Sequence, residues 1–108
     1  MSPDKIAAFT EILEQNPDDA FARYGLAMEY RQRGQTALAM AQFNELEKRH
    51  PDYIAGYQMA AQILVAENKI EPARQRLQAG ITAARRTGKQ HAAAEMEAML
   101  DELESEDR

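Results

Sequence analysis

The sequence predicts an all-α protein, and three observations support this fold class. Helix-favouring residues such as Ala, Gln, Glu, Leu and Arg are common, whereas β-branched and aromatic residues are few. The chain matches itself at a spacing of about 34 residues, the length of a repeated helical hairpin. Its apolar residues recur at steps of three and four, as on one face of a helix. With 108 residues, 44% of them hydrophobic, we expect a single folded domain over 1–108.

The internal repeat is visible as identical residues at the same spacing. These pairs are Pro17 and Pro51, Asp18 and Asp52, Ala27 and Ala61, and Ala39 and Ala73. Phe9 aligns in the same way with Phe43 and then with Leu77, so apolar character is kept where identity is lost. The predicted elements are a half-repeat helix (3–15), repeat 1 (20–53), repeat 2 (54–87), a capping helix (90–104) and an acidic tail (105–108).

Capping signals bracket the first helix of each repeat. Asp18 and Asp52 each follow a proline and are expected to accept hydrogen bonds from the free N–H groups of a helix N-terminus. Gly34 and Asn68 are residue types that adopt the left-handed conformation at a helix end. Ser2 is the expected N-cap of the half-repeat helix.

The second helix of each repeat is expected to begin near Thr36 or Glu71. Pro72 then lies in the first turn, where its missing N–H is tolerated. The apolar stripes predicted for the four repeat helices contain Leu26, Tyr30, Ala39, Phe43, Leu46, Tyr57, Ala61, Leu64, Ala73 and Leu77. The capping helix places Ala92, Met96, Met99, Leu100 and Leu103 on its apolar side.

These residues resemble the tetratricopeptide repeat, whose pattern is an aromatic, Leu, Gly or Ala, and Tyr, then Ala-x3-Phe and a closing Pro. The matching residues are Leu26, Ala27, Tyr30, Ala39, Phe43 and Pro51, followed by Tyr57, Ala60, Ala61, Leu64, Ala73 and Leu77. Arg23, Gly80 and Arg85 depart from the pattern. The resemblance extends to small free-standing bacterial proteins of this family. It implies a short right-handed α-solenoid of about six helices in antiparallel pairs.

The residues needed for catalysis are scarce. The chain has no cysteine, its serines are Ser2 and Ser105 near the termini, and no Gly-rich phosphate loop is present. His50 and His91 are isolated and are expected at polar surfaces or helix ends. We therefore expect no enzymatic activity, no cofactor and no metal site.

The charge of the chain also narrows the choice of partners. A net charge of −5 disfavours nucleic acid and anionic membranes. Lack of cysteine, of an export signal and of a long apolar stretch indicates a cytoplasmic protein. A basic cluster either pairs with the acidic last helix or attracts an acidic partner; its members are Arg74, Arg76, Arg85, Arg86 and Lys89.

Proteins of the tetratricopeptide family bind extended peptides or helices in a groove lined by the first helix of each pair. The resemblance therefore implies a non-catalytic interaction module with an unidentified protein or peptide as partner. The expected groove residues are Phe21, Tyr24, Met28, Arg31, Gln58, Met59, Gln62 and Val65. Tyr24, Met28 and Met59 stand where co-chaperones of the family carry the lysines and asparagines that clamp a chaperone C-terminus, so this clamp is not expected.

Two alternatives remain open at the level of sequence. If the last helix folds back over the groove, Met28, Met59, Met96 and Met99 form core instead of ligand surface. The chain is expected to be a monomer or weak homodimer. It could alternatively be a self-assembling structural or scaffold protein that associates through Phe21 or the apolar edge of the last helix.

Overall fold

A computed structural model describes residues 4–106 of the protein. Within these residues the chain forms helices and turns and contains no strand, which confirms the all-α prediction. The helices are α1 (Lys5–Gln15), α2 (Ala20–Gln32), α3 (Thr36–Arg49), α4 (Ile54–Ala66), α5 (Ile70–Arg86) and α6 (Gln90–Glu106).

The 34-residue period is present in the helix boundaries themselves. Helix α2 begins at Ala20 and α4 at Ile54, and α3 begins at Thr36 and α5 at Ile70. Each of these pairs of starting points is 34 residues apart. Helix α5 has 17 residues against 14 in α3, because it continues for almost one further turn.

The ends of α2, α4 and α5 are closed by the same local structure. Gly34 and Asn68 have φ values of 77° and 61°, as the sequence predicts, and Gly88 repeats this conformation after α5. In the first of these turns, the N–H of Gln35 donates to the carbonyl of Tyr30 at 2.9 Å. A left-handed residue followed by this backbone bond satisfies carbonyls that the helix leaves free at its C-terminus.

The predicted N-caps are wrong by one or two residues. The side chain of Asp4, not Ser2, accepts from the N–H of Ile6 at 3.0 Å, and Ser2 lies outside the described residues together with Pro3. At α2 the cap is Asp19, which accepts from the N–H of Ala22 at 2.9 Å.

Asp18 and Asp52 have another role. Asp18 forms an ion pair with Arg49 at 2.6 Å, and Asp52 pairs with Arg86. Helix α4 begins after Tyr53, which provides no side-chain cap. Both aspartates therefore bind a guanidinium near the end of the second helix of their pair instead of capping the first.

The chain divides into two compact units, Met1–His50 and Pro51–Arg108. In unit 1, α2 packs against both α1 and α3. Its core contains Ala22, Leu26, Ala27, Ala39, Phe43 and Leu46, while α1 has no buried residue. Phe9 is half-buried, in contrast to the fully buried Phe43 with which it aligns.

In unit 2, α5 packs against both α4 and α6. The core includes Tyr57, Ala61, Leu64, Ala73, Leu77, Ala93, Met96 and Leu103. Every residue of the predicted repeat stripes is buried in one unit or the other except Tyr30, which is half-buried. Among the described residues no polar or charged side chain is buried, so both cores are apolar.

Helix α6 extends to Glu106, beyond the predicted limit at 104. The first part of the predicted acidic tail is therefore helical, and 107 and 108 lie outside the described residues. None of the helices in 4–106 combines the length and the hydropathy that crossing a membrane requires.

Candidate functional site

The groove residues predicted on α2 differ widely in their surroundings. Phe21 is 73% exposed, whereas Tyr24, Met28 and Arg31 are half-buried. The Tyr24 ring meets the edge of the buried Phe43 ring, with 6.2 Å between ring centroids and an angle of 69°. Burial raises the pKa of the Tyr24 hydroxyl, and the positive charge of Arg31 opposes that rise. Tyr24 therefore supports the core of unit 1 as well as facing its surface.

Arg23, which replaces the leading aromatic residue of the repeat, is held by two hydrogen bonds. Its guanidinium donates to the side-chain oxygen of Gln42 at 2.8 Å and to the backbone carbonyl of Pro17 at 2.9 Å. Burial lowers its pKa, and the positive charge of Arg49 lowers it further. This side chain is therefore occupied by contacts within unit 1.

The predicted residues on α4 form a more uniform surface. Gln58, Met59, Gln62 and Val65 are all half-buried, and α4 contains no charged residue. The side-chain amide of Gln58 donates to a carboxylate oxygen of Glu95 in α6 at 3.4 Å. Polar and apolar side chains therefore alternate along an uncharged helix face.

A cavity of about 200 Å³ lies beside these α4 residues in unit 2. Its lining consists of Gln62, Val65, Met99, Glu102 and Leu103. We call this cavity the α4–α6 cleft. Two predicted groove residues therefore share a concave site with three residues of α6 that the sequence analysis did not assign to it.

The four methionines named in the alternatives differ in burial. Met96 is fully buried, and its sulfur lies close to the backbone of Gly80, so it belongs to the core. Met99 is half-buried and lines the α4–α6 cleft. Met28 and Met59 are also half-buried, as expected for residues between core and surface.

The basic cluster is largely engaged within unit 2. Arg85 pairs with Glu97 of α6, Arg86 with Asp52 and Arg74 with Glu71. The pair formed by Arg85 matches the predicted contact with the acidic last helix. Exposed pairs of this kind contribute little to stability, about 0–1 kcal/mol each.

His50 lies half-buried at a helix end and His91 lies at the surface, both of which were predicted positions. His50 ends α3, and its Nε2 lies 2.8 Å from the carbonyl oxygen of Asp18. The side chain of His91 is 92% exposed and lies 2.8 Å from a carboxylate oxygen of Glu95. Residues 4–106 contain no group of three or more His, Asp or Glu side chains arranged to hold a metal ion.

Solved structures with similar folds are repeat proteins of the predicted kind. A tetratricopeptide repeat domain protein from Salinibacter ruber is 29% identical, with a TM-score of 0.79 over 83% of this chain and 91% of its own. The TPR2B domain of yeast Sti1, solved in complex with pHsp70, is 21% identical, with a TM-score of 0.84 over 95% of this chain and 82% of its own.

A further similar structure is a protein of Bordetella parapertussis. It is 23% identical, with a TM-score of 0.81 over 99% of this chain and 92% of its own. No protein-family model and no curated protein matches the sequence. The chain thus has the all-α helical-repeat fold of tetratricopeptide repeat proteins, small bacterial ones included, as its residue pattern predicts.

Proposed function

We propose that the protein is a non-catalytic interaction module that binds a peptide or helix of a partner protein. The observation that carries this proposal is the α4–α6 cleft, an open, largely apolar site beside a row of half-buried polar and apolar residues on α4. The similar fold of the TPR2B domain, solved in complex with pHsp70, supports a protein ligand. The cytoplasm, indicated by the sequence, is the expected location.

The chemistry of α4 suits a bound peptide. Gln58 and Gln62 have side-chain amides that both donate and accept hydrogen bonds, so they can pair with a peptide backbone in either orientation. Met59 and Val65 offer apolar contact, and the flexible thioether of methionine adapts to different side chains. In unit 1, Tyr24, Met28 and Arg31 add a surface of similar mixed character.

Selection from a random peptide library tests this proposal. We expect the wild-type protein to enrich peptides, and Val65→Lys to lose them because a charge replaces an apolar contact in the cleft. Ala66→Lys is the matched control, since it adds the same charge at the next, exposed position of α4. Thermal melting establishes that both variants are folded. Equal enrichment by both variants, or none by the wild type, contradicts the proposal.

Self-assembly is a second candidate, favoured by the apolar side chains that unit 1 exposes. Phe21 is 73% exposed, Leu38 48% and Ile12 43%. Apolar surface of this kind promotes association when it is contiguous. Sedimentation equilibrium at several concentrations tests this candidate, and Phe21→Ser is expected to weaken any association. A monomer at all concentrations eliminates it.

A further inference from the structure

We propose that the α4–α6 cleft recognises a basic partner segment, in which an apolar side chain is flanked by Lys or Arg. This inference rests on the proposed function and specifies the chemistry of the partner at that site. Helices α4 and α6 form the two walls of the α4–α6 cleft. The cleft combines an apolar cavity with negative charge on the α6 wall.

The two walls present matching rows of side chains. On α6, Glu95, Met99 and Glu102 are spaced by four and three residues, which places them on one helix face. On α4, Gln58, Gln62 and Val65 have the same spacing. The hydrogen bond from Gln58 to Glu95 joins the rows at one end, and the cavity opens between their other members.

The charge of the two walls is strongly unequal. Helix α4 has no charged side chain, whereas α6 contains six Asp or Glu residues and neither Lys nor Arg. The whole chain carries a net charge of −5. The field at the α4–α6 cleft is therefore negative, which attracts cationic segments and repels anionic ones.

The cations of unit 2 do not neutralise the α4–α6 cleft. Arg85 pairs with Glu97, which is not a cleft residue, and Arg86 and Lys69 pair with Asp52 and Glu67. No Lys or Arg lines the cavity. The described part of the chain, 4–106, provides no ion pair for the Glu102 carboxylate. A Lys or Arg of the partner can therefore pair with Glu102 without displacing an internal partner.

The size of the cavity limits the apolar part of the ligand. Its volume is about 200 Å³, and a cavity of about 150 Å³ already holds a benzene-sized group. One Leu, Met or Phe side chain of the partner therefore fills it. Val65, Met99 and Leu103 supply the apolar contact, and Glu102 lies at the same site to bind an adjacent cation.

Three labelled synthetic peptides of one design test this inference by fluorescence anisotropy. Each has leucines at helical spacing, and the intervening positions carry lysine, glutamate or serine. We expect the lysine peptide to bind more tightly than the serine peptide, and the glutamate peptide to bind most weakly. Binding of the lysine peptide is expected to weaken as salt is added, because salt screens attraction between exposed charges.

Two charge-reversal variants locate the effect. Glu102→Lys and Glu104→Lys change the net charge equally and both residues are exposed, but only Glu102 lines the cavity. We expect Glu102→Lys to lower the affinity for the lysine peptide by about tenfold, because one attraction is lost and one repulsion is added. Glu104→Lys is expected to lower this affinity by about twofold or less. Met99→Gln replaces an apolar side chain with a polar one of similar length. It is expected to lower the affinity for every peptide that uses the cavity by about threefold or more.

The outcomes separate this inference from the proposed function. Equal or tighter binding of the glutamate or serine peptide overturns the basic partner and leaves peptide binding intact. Equal effects of Glu102→Lys and Glu104→Lys overturn the assignment to the cleft. Saturable binding of none of the peptides overturns both proposals. Dimerisation that Glu102→Lys abolishes identifies a second copy as the occupant and also overturns the inference.

Discussion

The two units each place a helix-interior glycine against an aromatic residue, but the contacts differ in kind. A Cβ added at Gly25 lies 2.5 Å from Cζ at the tip of the Phe9 ring. One added at Gly80 lies 2.7 Å from Cβ of Tyr57 and 2.6 Å from the sulfur of Met96. A ring tip moves by rotation of the side chain, whereas a Cβ moves only with its backbone. The absence of a side chain is therefore a stricter requirement at Gly80 than at Gly25.

A second comparison concerns the aligned residues Arg23 and Tyr57. The Tyr57 hydroxyl donates to the carbonyl of Pro51 at 2.7 Å, and the Arg23 guanidinium donates to the carbonyl of Pro17 at 2.9 Å. These prolines are also aligned by the repeat. At both positions a long side chain with a donor near its end therefore binds the carbonyl of the aligned proline.

The largest expected change in stability comes from replacing the two glycines with alanine. Gly80→Ala is expected to lower the free energy of unfolding by about 1–3 kcal/mol, because the added methyl group overpacks a buried contact. Gly25→Ala is expected to leave the free energy of unfolding unchanged or to raise it by up to about 1 kcal/mol, since alanine favours the helix and Phe9 can move. Urea denaturation of both variants provides the measurement. Equal losses would show that Phe9 is held as firmly as Tyr57.

The next effect concerns the N-terminus of α2. Asp19→Ala is expected to lower the free energy of unfolding by about 1 kcal/mol, because the N–H of Ala22 loses its side-chain acceptor. Asp18→Ala removes only an exposed ion pair with Arg49 and is expected to cost about 0–1 kcal/mol. Thermal melting of the two variants compares them. A larger loss for Asp18→Ala contradicts the assignment of Asp19 as the cap.

Tyr57→Phe removes the hydroxyl that donates to Pro51. Tyr57 is 5% exposed and its ring stays in place, so we expect the missing hydroxyl to lower the free energy of unfolding by about 0.5–1.5 kcal/mol. Urea denaturation measures this loss, with Tyr30→Phe as a second tyrosine variant. A loss near zero would indicate that Tyr57 acts only through packing.

The smallest effect depends on pH. The hydrogen bond from Arg49 lowers the pKa of Glu45. A carboxylate with a lowered folded pKa stabilises the protein above its unfolded pKa, about 4.3, and this contribution disappears as the pH falls through the folded value. We expect Glu45→Gln to be less stable than wild type near neutral pH and equal to it in acid. Melting temperatures across this range give the difference, and a constant difference contradicts it.

Much of the fold follows from local sequence. Gly34 and Asn68 end their helices in the left-handed conformation because a residue without Cβ, or with a short polar side chain, adopts it at low cost. The 34-residue spacing and the three-and-four apolar steps predicted the helix pairs and much of the core, whereas the buried Ile54, Ile63 and Ile81 were not predicted. The N-cap of α2 was misplaced because the adjacent Asp18 and Asp19 are equivalent in sequence until backbone geometry selects one.

The candidate site was predictable only in part. Gln62 and Val65 were expected from the helix face of α4 that the repeat motif leaves unused, and they line the α4–α6 cleft. Glu102 was not predicted at this site, since helical spacing alone does not show which neighbour a helix face meets. Its spacing of seven residues from Glu95 is the signal that relates it to the row on α4.

The sequence by itself determined the helices, their turns and the period of the repeat, because those depend on residues close together in the chain. Tertiary structure alone decided that Met96 is core while Met99 lines a cavity, and that Asp52 binds Arg86 instead of capping α4. Such outcomes depend on which side chains, far apart in the sequence, come into contact in the folded chain. The packing between helices determines these contacts, and the periodicity within one helix does not encode them.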